Sequence, residues 1–286
     1  LIFIYQDIIK NNKIDDDRFF SLNNLDVYTI VDKIEECDFI ILPYKWNGFT
    51  DITKKILTEG RIHNKKLIVV FNDDSYENID LDIDEAIIFR TSFLKTTQKS
   101  NEFSIPAFIN DSFKNNILQE KKLNIGFCGY NHYERKKALE ILLLDKDINC
   151  DFIIRKSFWA QEIKKEVAIK EFINNVESNI FSFTSRGSGN FSYRFYEILS
   201  MGRIPVLLNT DCVLPFDNIL DYNQHCLIID ISDIQNISNK LKDFFKEKTI
   251  SELIDIQENN RKLYLEYLSP EGFLNNSKLI LEQWKK

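Results

Sequence analysis

NIFSFTSRGSGNFSYRFYEILSMGRIPVLLN, from Asn179 to Asn209, holds the parts of an α/β unit in order. NIFSFTS is a short apolar run that predicts a strand, NFSYRFYEILSMG has helical spacing, and RIPVLLN predicts a second strand. Phe195, Ile198 and Leu199 fall on one side of that helix and are expected to bury against a sheet. Between strand and helix stands Arg186-Gly187-Ser188-Gly189-Asn190. Ligands of doubly wound sheets bind outside the carboxyl ends of the strands, where this turn is expected to lie. Gly187 and Gly189 permit close backbone approach or a positive φ, and Asn190 or Ser192 offers a capping side chain. The first N–H groups and positive dipole end of the helix suit a phosphate. Arg194 and Glu197, at i and i+3, share a helix face. They read either as an exposed ion pair worth about 0.3 kcal/mol, or as a divided site in which Arg194 grips a diphosphate and Glu197 accepts from sugar hydroxyls. The local pattern leaves both readings open.

The same alternation extends outward. LNIGFCGY, CDFIIRK and HCLIID read as further strands, and RKKALEILLL and EIKKEVAIKEFINNVES as helices. Nearer the start, LIFIYQD, CDFIILP, KKLIVVFND and EAIIFR are runs of the kind that form strands buried on both faces, with helical spacing from Asn47 to Leu57. A polar stretch from Asn101 to about Lys122, carrying Pro106, reads as the linker. YLSPEGF breaks the pattern late, and the helical NNSKLILEQW after it is expected to return to the first half. The fold class is therefore α/β, with two Rossmann-like domains and parallel sheets. The expected divisions are 1–118, 119–268 and a final helix at 269–286. No short fixed repeat is present, which excludes solenoids and propellers.

A chain of 286 residues with 44% hydrophobic and 28% charged residues has material for two packed cores. A net charge of −7 argues against broad electrostatic binding of nucleic acid, so an anionic ligand must be held by local basic groups. Cys37, Cys128, Cys150, Cys212 and Cys226 show no C-x-x-C spacing and are expected to be reduced, as in a cytoplasmic protein. No apolar run approaches the roughly 20 residues that span a bilayer, and LIFIYQD lacks the features of a leader. The first residue is Leu, which leaves room for an upstream segment.

NFSYRFYEILSMGRIPVLLNTDCVLPF resembles the exostosin family of glycosyltransferases, in particular its small bacterial members. CDFIILPYKW, IIFRTSF, IPAF, IGFCGY, DFIIRKSFW and YLSPEGF resemble further segments of those proteins in the same order. The resemblance implies a GT-B fold, in which two Rossmann-like domains face a central cleft and the C-terminal one holds a nucleotide-sugar donor. It implies inverting transfer without a metal, with Arg186, Arg194 and Glu197 around the nucleotide and diphosphate. The abundance of Ile, Asn and Lys fits an AT-rich bacterial genome.

Arg155 follows a strand and adds positive charge at the same edge, and His132 lies in the first loop of the second half. Asp211 follows RIPVLLN and is expected either to bind a sugar hydroxyl or to cap its own turn. An inverting transfer needs a base for the attacking hydroxyl. Asp74 in VFNDDS is the first candidate and Asp7 in IYQD the second, while Arg90 either orients the acceptor or pairs with a carboxylate. Asp82-Ile83-Asp84 spells D-x-D, but its place before a strand reads as a polar edge, and no metal or other cofactor is expected. The expected activity is transfer of a sugar from a nucleotide diphosphate, UDP preferred, to a glycan or lipid-linked glycan of the bacterial surface. Such an enzyme belongs in the cytoplasm or at the inner face of its membrane, where a lipid-linked acceptor would draw it. A nucleotide-sugar epimerase of the same fold and a non-catalytic sugar-binding or scaffold protein are the alternatives.

Overall fold

In the computed structural model, which describes residues 2–3, 28–46, 48–114, 116–158 and 160–285, the apolar runs form two parallel sheets. The first contains β1 (Ile2–Phe3), β2 (Ile30–Val31), β3 (Phe39–Lys45), β4 (Lys66–Phe71), β5 (Ala86–Arg90) and β6 (Glu102–Ser104), in the order β2-β1-β3-β4-β5-β6. The second contains β7 (Asn124–Tyr130), β8 (Asn149–Arg155), β9 (Phe181–Ser185), β10 (Ile204–Asn209) and β11 (Leu227–Asp230), in the order β11-β10-β9-β7-β8. Each order reverses once, between β1 and β3 and between β7 and β9, the switch points at whose carboxyl ends doubly wound sheets usually form a ligand crevice. The helices are α1 (Asp51–Ile62), α2 (Tyr133–Leu144), α3 (Lys165–Glu177), α4 (Tyr193–Ser200), α5 (Ile237–Glu247), α6 (Ile250–Leu263) and α7 (Pro270–Glu282).

Both faces of each sheet are covered except at the edge strand β8, whose residues are half-buried or exposed, and the inner strands read as continuous apolar runs for that reason. Because successive side chains point to opposite faces, Ile40, Leu42, Leu67, Val69 and Ile88 pack with Ile56 and Leu57 of α1. Their neighbours Ile41, Ile68, Val70, Ile87 and Phe89 pack instead with Phe273, Leu274, Ile280 and Leu281 of α7. The Phe273 ring stands edge-on to Phe89 at 5.9 Å, and the Tyr28 hydroxyl reaches the Leu274 carbonyl at 3.4 Å. The last helix thus completes the core of the first sheet. In the second half, Phe127, Phe183, Val206 and Leu208 pack with Leu139 and Leu142 of α2 and Leu241 of α5. On α4, Phe195 and Leu199 pack toward Tyr264 and Leu268, and Ile198 toward Val176 of α3.

Local chemistry sets the helix boundaries. α1 starts at Asp51, later than the spacing from Asn47 predicts, because the Thr50 hydroxyl accepts from Thr53 N–H at 3.2 Å. α6 opens on a reciprocal capping box between Thr249 and Glu252 and passes into a π-helical turn at Tyr264–Leu268. α7 begins at Pro270, ahead of the predicted segment, with Ser269 capping Gly272 N–H at 3.0 Å and proline in its favoured first turn. β6 lies inside the stretch read as a linker and pairs in parallel with β5. Among the described residues, no helix is long and apolar enough to cross a membrane.

Candidate functional site

The switch point between β7 and β9 is occupied by Arg194, in the first turn of α4. Its Nη2 donates to the Cys128 carbonyl at 2.6 Å, and its guanidinium carbon lies 4.7 Å from the Phe127 ring centroid and 5.8 Å from that of Phe172. This path crosses β7 where the chain has no side chain, because a Cβ on Gly129 would collide with Nη2. The Arg194 Nε is buried and has no hydrogen-bond partner among the described residues. Burial lowers the Arg194 pKa, with the nearby Glu197 opposing that shift. Glu197 is half-buried and its carboxyl is raised above the usual range by burial, with Arg194 pulling it back.

A second arginine sets the edge of this switch point. Arg135, in the first turn of α2 and only 4% exposed, donates to Tyr130 O at 2.7 Å, Ser185 Oγ at 3.1 Å, Ser185 O at 3.3 Å and Arg186 O at 2.7 Å. Burial and the neighbouring Arg194 bring its pKa down to about 9. It fixes the ends of β7 and β9 relative to each other and carries the backbone of Arg186. Sequence reasoning missed it, since R-K-K at the start of a helix reads as a solvated face.

His132 stands at the same edge, with its ring 5.6 Å from Tyr130 and 4.8 Å from Phe158. Burial, then the charge of Arg135, pushes its pKa down and favours the neutral imidazole. β7 and β8 pair Tyr130 with Arg155, so Arg155 arrives at this edge as well, ion-paired with Glu171 and 3.7 Å from the Cys128 sulfur. Ser192 occupies the N-cap position of α4, but its hydroxyl pairs with Thr184 Oγ1 at 3.1 Å and makes no capping bond. Gly187 donates its N–H to Phe191 O at 2.9 Å, and a Cβ there would meet only the Phe191 carbonyl at an ordinary 3.8 Å.

The turn after Gly187 faces the other half of the molecule. Asn190 N–H donates to Ser92 Oγ at 2.9 Å, and its amide donates to Phe93 O at 2.9 Å and Asp211 O at 3.1 Å. Asp211, at φ 63°, accepts from Thr96 N–H at 3.1 Å and Thr96 Oγ1 at 2.6 Å. Leu94 and Cys212 form an antiparallel bridge, and Ser104 Oγ donates to Val213 O at 2.9 Å. This row of bonds staples the carboxyl edges of the two sheets together. Asp74 is exposed and abuts the row, its backbone oxygen accepting from Ser92 at 3.0 Å. A Cβ on Gly189 would stand 2.8 Å from Asp74 Cα and 2.9 Å from its carbonyl oxygen. Gly189→Ala is therefore expected to wedge the halves apart, raising the radius of gyration in solution scattering and lowering the thermal midpoint by several degrees. An unchanged midpoint would show that the contact is not needed.

Asp7 lies outside the described residues. Arg90 is a structural partner: it pairs with Glu102 at 2.8 Å and donates to Ser92 O at 2.9 Å and Glu77 O at 2.9 Å, which shapes the loop bearing Asp74. Asp82 and Asp84 lie at the amino end of β5, at the opposite edge of that sheet from Asp74.

Residues 58–244 match the family described as the Exostosin GT47 domain. Among solved structures, a glycosyltransferase from Rickettsia africae ESF-5 shares 13% identity at a TM-score of 0.52, over 99% of this chain and 89% of that one. The GtfA/B complex shares 11% identity at a TM-score of 0.50, over 86% of this chain and 57% of that one. TarM shares 13% identity at a TM-score of 0.46, over 77% of this chain and 50% of that one, so the chain spans half of TarM's length. A search of curated proteins finds no match. At these identities the likeness establishes architecture, which is GT-B: two Rossmann-like halves meeting at their carboxyl edges. With well over half of its residues inside the match, the chain belongs to the Exostosin GT47 domain family.

Proposed function

We propose that the protein is an inverting glycosyltransferase that takes a sugar from a nucleotide diphosphate, a UDP-sugar first, and transfers it to a hydroxyl of a bacterial surface glycan. The observation that carries this reading is the Arg194 guanidinium, passed through the Gly129 gap to the switch point of the second sheet with its Nε unpartnered. Arg135, Arg155 and Arg186 gather at the same edge of a chain whose net charge is −7. Positive charge concentrated against the overall sign of the protein suits a phosphate ligand.

In this reading Arg194 and Arg186 grip the diphosphate, His132 frames it, and Glu197 accepts from the ribose or the donor sugar. Asn190, buried with all its polar groups bonded to Ser92, Phe93, Thr210 and Asp211, holds the turn and does not touch the donor. As the bond to the sugar breaks, negative charge grows on the leaving diphosphate and meets guanidinium groups already in place, so little reorganisation is needed. The acceptor hydroxyl attacks from the opposite face and yields its proton to a carboxylate of the first half, for which Asp74 stands against the donor turn. The fixed cations take the role a divalent ion fills elsewhere, and transfer proceeds without metal. The staple between the halves keeps both partners in register, so closure involves the loops around the switch point. The protein works in the cytoplasm, and a lipid-linked acceptor brings it to the inner face of the membrane.

Thermal unfolding with UDP, GDP and CMP in the presence of EDTA tests the donor assignment. A ligand at about 100 times its Kd adds about 2.7 kcal/mol, so UDP is expected to raise the midpoint by several degrees with or without the chelator. No shift from any of the three nucleotides would sink the reading.

A further inference from the structure

A separate cavity of about 510 Å³ opens over the carboxyl ends of β10 and β11. Its size falls in the range of ~300–1,000 Å³ typical of small-molecule sites. The floor is the cross-strand pair Leu207 and Ile228 together with Leu214. The rim carries Asn209, Asp211, Asp217, Asn218 and Asp221. Lys95 enters from the first half and is paired with Asp217 at 2.6 Å. The Thr96 bonds hold Asp211 in place, so the first half braces one side of a cavity otherwise lined by the second.

The lining rules out several ligand classes. Its carboxylates repel phosphates and other anions, and the Lys95 charge is already answered by Asp217. Among the described residues, no group of three His, Cys, Asp or Glu side chains is placed to hold a metal ion, so the rim acids do not converge on a cation. What fits is an uncharged ligand rich in hydroxyls with one apolar face. Hydroxyls donate to carboxylate and amide oxygens, and a C–H face rests on the aliphatic floor.

We infer that this cavity binds a short neutral oligosaccharide, distinct from the diphosphate site at β7 and β9. Its role as the acceptor subsite rests on the glycosyl-transfer reading above; the binding itself does not. Asn218 is exposed on the rim and makes no hydrogen bond to the described residues, so its replacement leaves the fold intact.

Saturation-transfer NMR and calorimetry with maltotriose, cellotriose and triacetylchitotriose, with a hyaluronan tetrasaccharide as the anionic counterpart, test the proposal. At least one neutral trisaccharide is expected to bind the wild-type chain. Asn218→Ala should weaken it about 3- to 10-fold, the effect of one lost hydrogen bond, and Asn218→Trp should abolish it by filling the mouth. The midpoint shift caused by UDP should be the same in both variants. The inference is overturned if no neutral trisaccharide binds, if Asn218→Trp binds as wild type does, or if the hyaluronan fragment binds more tightly. Trisaccharide binding without any response to UDP would sink the transferase reading and leave this site standing.

Discussion

Arg194→Ala is expected to lower kcat/KM for the nucleotide sugar by about 10²–10³-fold, the usual effect of removing one donor aimed at developing charge. The loss should fall on kcat as well as on donor KM, since the charge on the leaving diphosphate is greatest in the transition state. Arg194→Lys should recover little, because an ammonium cannot reproduce the planar fork that lies over Phe127 while donating to Cys128. The side chain also packs between Phe127 and Phe172, and losing those contacts costs about 1 kcal/mol. Thermal unfolding of each variant separates that small loss from the catalytic one. Activity of Arg194→Ala within threefold of wild type would remove Arg194 from the mechanism.

The largest effect on stability is expected at Arg90. Its ion pair with Glu102 has both side chains 2–3% exposed, and the same guanidinium holds the backbone around Ser75 and Glu77. Arg90→Met would leave the Glu102 carboxylate buried without its partner, at a cost of about 3–5 kcal/mol. Urea unfolding followed by tryptophan fluorescence reads this directly, because Trp46 and Trp284 both pack on the first half. The double variant Arg90→Met with Glu102→Leu should regain most of the loss, since it removes the uncompensated charge. Arg61, whose pair with Glu85 leaves its side chain 63% exposed, sets the contrast: Arg61→Ala should cost about 1 kcal/mol or less. A loss below 1 kcal/mol for Arg90→Met would mean the pair is not holding the loop.

The sequence exposed the strands of the second half most clearly. FSFTS and IPVLL are buried residue by residue; IPVLL is apolar on both faces, and FSFTS alternates buried Phe with small hydroxyl residues. β2 and β6 went unread because two or three residues at a sheet edge carry no periodic signal. The capping box that opens α6 is written in T-x-x-E, but the polar residues around it give it no apolar run to mark a helix start. At the site, the R-x-x-E pair was visible because both residues sit on one short helix. Arg135 was not, since nothing in R-K-K separates the arginine that turns inward from the lysines that stay in water. Gly189 was legible as a glycine but not in its use, because the backbone it admits belongs to Asp74 in the other half. Asp211 shows the same limit: its turn was anticipated, while its partner Thr96 is visible only in three dimensions.

The return of α7 to the first sheet governs the order in which this chain can fold. Tyr28 and Ser277, 249 positions apart in the chain, are hydrogen-bonded, and Phe273 closes the face made by Ile41, Ile68 and Phe89. During synthesis, strands β1 to β6 leave the ribosome with one apolar face bare. The second half, whose core draws on residues from Leu118 onward, can be complete before that face is covered. Such late, long-range closure is slow and exposes sticky surface while it waits. The nascent first half is therefore a natural client for chaperones that shield hydrophobic sheets, and the docking of α7 releases it.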